Sequence, residues 1–207
     1  MATSNAGLLW KNFNGNKQLF TEKNSTSNSS EKHLIRWDPY TSKLAAALFS
    51  GMEIFPINST SKIFYLGNHS TTTLEHMSNI INNEGVVYFL KNIENGKALN
   101  FKNVKIINYD VDNHDYFAKF EEKIDVAYLD FPVDEKLNLI IKNCKIILKQ
   151  NGFLILILND KYPINDDFLR LTQKIIIDLK ESFELIQEIN LSSFFKNSFM
   201  IVMKNAK

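Results

Sequence analysis

Short apolar runs separated by mixed polar segments set the rhythm of the chain from residue 62 onward. They are KIFYLG (62–67), VVYFLK (86–91), VKIINYD (104–110), DVAYLD (125–130) and FLILILN (153–159). None alternates strictly, and a strand that is apolar on both faces belongs inside a sheet covered on each side. Between the runs the spacing predicts helices near 73–82, 113–122 and 134–149, while 92–102 is a poor helix interrupted by Gly96. A helix near 166–182 precedes FELIQEINL and SFMIVMK, which read as a closing antiparallel pair. Ahead of the first run, TSKLAAALFSGMEIF has helix formers behind a Thr or Ser cap, with Gly51 placed to end the helix. The class is α/β: a doubly wound, mostly parallel sheet with an antiparallel edge strand.

The first residues follow another pattern. LLWKNFNGNKQLFTEKN suggests two strands joined at Asn14-Gly15, a strong hairpin signal, and STSNSSEKH is a polar connector. The expected organisation is a small β subdomain with its linker over 1–36 and a second unit over 37–207.

Composition narrows the function classes. A hydrophobic fraction of 44% with 16 Phe supplies a full core, and the formal net charge is only +1. The basic footprint of a protein that grips nucleic acid alone is missing, which leaves a local patch or a partner subunit. The single cysteine, Cys144, lies in the apolar stretch LIIKNCKIIL and is expected to be a buried structural thiol. No apolar run is long enough to span a bilayer and MATSNAG has no signal-peptide core, so a soluble intracellular protein without a membrane partner is expected. His33, His69, His76 and His114 show no metal-ligand spacing, so no metal is expected.

In doubly wound sheets, ligands bind beyond the carboxyl ends of the strands, where strand order reverses. The candidate site positions are therefore Gly67 to Thr73, Leu90 to Asn92, Asp110, Asp130, Asn159 to Lys161, and Asn197 with Ser198.

RWDPYTSKLAAALFSGMEIFPI followed by KIFYLGNHSTTTLEHMSNIINNEGVVYFL resembles fibrillarin in its short archaeal form, without a Gly/Arg-rich tail. The resemblance covers most of the chain and is most specific from Trp37 to Thr73. It implies a Rossmann-like class I methyltransferase fold and S-adenosylmethionine-dependent methylation of RNA ribose 2′-hydroxyls in rRNA and tRNA, within a box C/D guide ribonucleoprotein. The implied partners are a Nop-domain scaffold, the kink-turn-binding protein reached through it, and guide and target RNA.

Carried over position by position, the resemblance implies cofactor binding by Gly67, Ser70, Thr72, Thr73 and Asp110, and catalysis by Lys43 and Asp130. The family's second loop glycine is Thr71 here, and a Cβ is a poor substitute where φ > 0 is needed. The acid that accepts from the cofactor ribose is Lys91, which can only donate. The remaining two members of the Lys-Asp-Lys-His constellation fall on Asn159 and Ser198. Lys161, two residues on, is a substitute displaced by about 6–7 Å if the chain stays extended. Methyl transfer to a hydroxyl relies on positioning and on a group that takes the proton. Two readings stay open: a working methyltransferase with an altered site, and a non-catalytic interaction subunit on a scaffold or beside an active paralogue. A binder of a phosphorylated nucleotide, suggested by Lys91, has little else behind it.

Overall fold

The computed structural model describes residues 7–23, 33–67, 71–81, 84–91, 101–108, 117, 120, 122–130, 137–159 and 166–206. The expected helix near 113–122 falls mostly outside them.

Asn14 and Gly15 take positive φ, 49° and 80°, and turn β1 (Leu8–Phe13) into β2 (Asn16–Glu22). A two-residue hairpin takes a primed turn whose twist matches the strands, and type I′ needs both central residues left-handed. A third strand, β3 (Leu34–Arg36), pairs with β2 where the sequence suggested only linker, being too short to announce itself by pattern. Leu19 of β2 is buried in the same apolar cluster as the main sheet, with Leu8 and Trp10 packed against it.

The main sheet contains β4 (Lys62–Gly67), β5 (Val86–Lys91), β6 (Val104–Asn108), β7 (Ile124–Asp130), β8 (Leu148–Asn159), β9 (Glu184–Asn190) and β10 (Ser198–Lys204). Their order is β6-β5-β4-β7-β8-β10-β9, parallel from β6 through β8. The last strand of the chain is the antiparallel one, as expected, but it does not lie at the edge. Instead β10 inserts between β8 and β9, antiparallel to both, and β9 takes the edge. The burial of the two strands accounts for this: β10 is buried at five of seven positions, whereas β9 is buried at one.

Helices α1 (Lys43–Phe49) and α2 (Thr71–Ile81) bury Leu44 to Ala47, Leu74, Met77 and Ile80 on one face of the sheet, with the small sheet beside them. Helices α3 (Leu137–Ile147) and α4 (Asp166–Ser182) cover the other face through Leu137, Ile140, Cys144, Ile175 and Leu179. Cys144 is fully buried and its thiol is pushed far up by desolvation, as a structural cysteine would be. Helix α1 stops where the sequence placed its end, with Ser50 as its C-cap. Gly51, at φ +93°, ends it, and the extended segment beyond tucks Met52, Phe55 and Ile57 into the core. Among the described residues, no helix is long and apolar enough to cross a membrane.

Candidate active site

Strand order reverses between β4 and β7, and the register there places Gly67 directly opposite Asp130. A Cβ on Gly67 would stand 2.8 Å from Asp130 Cβ and 2.9 Å from its carbonyl oxygen. Glycine is needed here because the two strand ends approach so closely. Along β4 and β7, Ile63, Tyr65, Val126 and Tyr128 face the α1/α2 side, so the period of two puts Asp130 on that side as well.

Lys43 opens α1. Its Nζ donates to Asp130 Oδ1 at 2.5 Å, and the two side chains are 16% and 5% exposed. Burial raises the Asp130 carboxyl above its ordinary range, and the Lys43 charge and hydrogen bond pull it partly back. Beneath it, the fully buried Tyr128 phenol is held neutral by desolvation, with the Asp130 carboxylate adding to the effect. Lys43 also lies 6.0 Å over the ring of Phe195, from the loop between β9 and β10.

Two contacts fix the segment that delivers Lys43. Trp37 stacks on His76 of α2, with ring centroids 4.6 Å apart and planes 14° from parallel. At the far end, Ser42 caps α1 by accepting from the Ala45 N–H, and its Oγ lies 2.8 Å from Thr73 Oγ1. Asp38 shapes the turn between, its carboxylate accepting from the Tyr40 N–H at 2.9 Å and its carbonyl from the Thr41 hydroxyl at 3.2 Å. His76 is fully enclosed, with Nδ1 2.7 Å from Thr21 Oγ1. Desolvation lowers its pKa to about 4 against the opposing effect of a backbone hydrogen bond at Arg36, so the imidazole is neutral near pH 7.

The sequence candidates separate into groups. Gly67, Asp130 and Lys43 come together, and Thr71 and Thr72 open α2 just beyond Gly67, exposed and half-exposed. Thr73 is 1% exposed and its hydroxyl bonds to Ser42. Ser198 opens β10 as the register partner of Asn159, which ends β8; it is 3% exposed, with its Oγ 3.4 Å from the Lys196 carbonyl. The partner of Asp130 on β8 is Ile157, so Asn159 lies two residues further toward the carboxyl edge. Lys91 ends β5 opposite Asn108. Ser70, Asp110 and Lys161 lie outside the described residues. Sequence reasoning offered Ser42 only as a helix cap, and missed its contact with Thr73 and the buried role of His76. Position 76 falls on the apolar stripe of α2, between Thr73 and Ile80, which is the signal that could have found it.

A cavity of about 330 Å³ between α3 and α4, lined by Asn138, Lys142, Lys145, Asp178 and Glu181 among others, lies on the opposite face of the sheet and is not this site. Among the described residues, no cluster of His, Cys, Asp and Glu could hold a metal ion.

A seven-stranded sheet of this order, with its next-to-last strand in space reversed, is the Rossmann-like methyltransferase fold. The chain belongs to the fibrillarin family, whose profile, Fibrillarin, matches residues 1–207. It is 29% identical over 177 residues to the fibrillarin-like rRNA/tRNA 2′-O-methyltransferase of Methanocaldococcus jannaschii, covering 80% of this chain and 75% of that one. Among solved structures it is similar to Aeropyrum pernix fibrillarin in complex with natively bound S-adenosyl-L-methionine, with TM-score 0.76, 21% identity and 95% and 94% of the two chains covered. It is also similar to a fibrillarin/Nop5p complex, with TM-score 0.71, 20% identity and 91% and 94% covered.

Proposed function

We propose that this chain is the fibrillarin-type subunit of a guide-RNA ribonucleoprotein and an S-adenosylmethionine-dependent RNA ribose 2′-O-methyltransferase whose rate is lowered by its altered positions. The observation that carries this reading is the buried Lys43–Asp130 pair, 2.5 Å between Nζ and Oδ1, at the point where strand order reverses. The described part of the cofactor region fits the reading: Thr71 and Thr72 open α2 beside Gly67, where a helix N-terminus favours a carboxylate. Ser70, Thr72 and Asp110 are the residues proposed to hold the cofactor, which when bound supplies a methyl group activated by its sulfonium.

Asp130 is the proton acceptor of the chain. Its raised pKa makes it a stronger base than an exposed carboxylate, and Lys43 fixes its orientation. With Asn159 and Ser198 in place of a second lysine and a histidine, fewer charged groups orient the ribose hydroxyl, and the expected cost is in kcat. The fibrillarin/Nop5p complex supports a Nop-domain scaffold as the partner. A net charge of +1 suits a subunit whose hold on guide and target RNA comes largely through such a partner.

One observation favours a second reading, a non-catalytic subunit on the same scaffold, beside an active paralogue. Ser198 is buried and its hydroxyl is turned onto the Lys196 carbonyl, so a non-titratable side chain stands at the position where the resemblance places a histidine. Calorimetric titration with S-adenosylmethionine, with Asp110→Ala as the control, followed by a methyl-transfer assay in the reconstituted guide complex, separates the two. Micromolar binding abolished by the control, with measurable transfer, supports the enzyme. No heat at millimolar ligand and no transfer leave the interaction subunit.

A further inference from the structure

The methyl-acceptor side of the site and its cofactor side are carried by different segments, 37–43 and 67–73, and the structure shows how they are joined. Ser42 does two things with one oxygen. Its Oγ accepts the Ala45 N–H at 3.3 Å, which caps α1, and it lies 2.8 Å from Thr73 Oγ1 in the first turn of α2. A hydroxyl has one proton and two lone pairs, so the cap leaves Ser42 free to donate to Thr73 or to accept from it. Both residues are 1% exposed. A capping serine needs neither that burial nor a second hydroxyl; solvent serves an exposed cap equally well.

The geometry has a second anchor. Trp37, at the start of the same segment, stacks on His76, three residues after Thr73 on α2. The short chain that delivers Lys43 is thus fastened at both ends to the helix that opens at the cofactor loop. Lys43 follows Ser42 directly, so any movement of the Ser42–Thr73 bond is passed to the lysine over one residue.

We infer that Ser42 and Thr73 form a hydroxyl clasp that registers Lys43 to the cofactor helix, both acting as positioning residues. Thr73 then acts through Lys43 and not as a ligand of the cofactor. This rests on the reading of Lys43 and Asp130 as the catalytic pair, and its test does not depend on turnover alone.

The test compares Thr73→Val, which keeps the shape and removes the hydroxyl, with Thr73→Ser, which keeps the hydroxyl. Lysine labelled with 13C at Cε reports Lys43 directly, its resonance identified by its loss in Lys43→Met. Thr73→Val is expected to shift and broaden that resonance, with Thr73→Ser restoring it. In the reconstituted complex, kcat is expected to fall about tenfold or more in Thr73→Val, with KM for S-adenosylmethionine within about twofold, because small displacements of a catalytic group are costly. A wild-type Lys43 signal in Thr73→Val overturns the clasp, as does a loss confined to KM, which would make Thr73 a cofactor ligand. If the wild-type complex shows no turnover, the enzymatic reading fails while the Lys43 resonance still decides the clasp. Should Thr73→Val fail to fold, Ser42→Ala is read in the same way.

Discussion

The carboxyl edge of the sheet has two halves that differ in how tightly the fold holds them. On β4 and β7, Gly67 is pressed against Asp130, Asp130 is paired with Lys43, and Lys43 is set by a cap bonded to α2. Each residue there is a packing partner of the next. On β8 and β10, Asn159 and Ser198 are register partners at the ends of their strands, and the Ser198 carbonyl accepts from the Leu191 N–H. That ladder is made by backbone and is indifferent to the side chain. On the proposed reading of the site, the departures from the family's catalytic pattern fall on this second half. A catalytic position that is also a packing position resists change, because a substitution there costs stability as well as rate. A position that only ends a strand can change with little cost to the fold.

Removing one partner of the buried pair should produce the largest effect. Lys43→Met leaves the Asp130 carboxylate buried without its cation and is expected to cost about 3–5 kcal/mol at pH 7 by denaturant titration. The sign with pH is definite. Asp130 already has a raised folded-state pKa, and loss of Lys43 raises it further. The folded variant therefore takes up a proton more readily than the unfolded chain, and its deficit narrows as pH falls from 7 toward 5. An equal deficit at both pH values would mean that the loss does not act through Asp130.

The scaffold of the retained half carries its own pH dependence. His76 is held neutral with a pKa of about 4, while the unfolded chain titrates near 6.5. Between those values the unfolded state binds the extra proton, so this contribution is fully present above about pH 6.5 and is lost as pH falls to 4, roughly 3 kcal/mol in all. His76→Phe keeps an aromatic ring against Trp37, and Thr21 keeps its contact with Asn79. Its stability should fall less steeply with acid than that of the parent. Identical slopes would show that the enclosure of His76 opens before it protonates.

Much of the fold could be read along the chain, for a physical reason. Strands 62–67 and 86–91 and the helix over 166–182 appear within the bounds their apolar spacing indicates, because each is a local pattern paid out over a continuous stretch. Strand β8 begins at Leu148 and not at Phe153: LKQNG is polar and holds Asn151 at φ 64°, features that read as a loop, but Leu148 pairs with Ile124 of β7 and the backbones of Asn151 and Gly152 bond to Asn205. The insertion of β10 beside β8 depends on strand order, which no local pattern encodes. In the candidate site, the meeting of Lys43 with Asp130 across 87 residues was legible only through the family resemblance. The meeting of Ser42 with Thr73 was not legible at all: both are ordinary helix-start residues, and their significance lies in the 2.8 Å between them.

Gly67→Ala tests the packing of the retained half directly. The added Cβ meets Asp130 backbone and Cβ at 2.8–3.1 Å, atoms that cannot rotate away, and a loss of about 2–3 kcal/mol is expected from overpacking. The corresponding change on the other half, Ser198→Ala, removes a hydroxyl whose bond to the Lys196 carbonyl is long at 3.4 Å, and should cost under about 1 kcal/mol. Equal losses would break the contrast between the two halves.

The effect that bears on chemistry comes from refilling the second half. Asn159→Lys with Ser198→His places the two missing side chains on residues that already face each other across β8 and β10. Directly opposed side chains reach each other in an antiparallel pair, so the two additions should couple. In the reconstituted complex the double variant is expected to gain about tenfold in kcat, equivalent to roughly 1.4 kcal/mol of barrier, with each single variant gaining less. The gain is modest because Ser198 is buried and the imidazole must find room beside Lys196 and Leu191. A gain in the double variant would show that the retained half is still positioned for transfer. No gain, with S-adenosylmethionine bound and the fold intact, would mean that Lys43 and Asp130 persist for their packing and that the chain serves the complex without turning over.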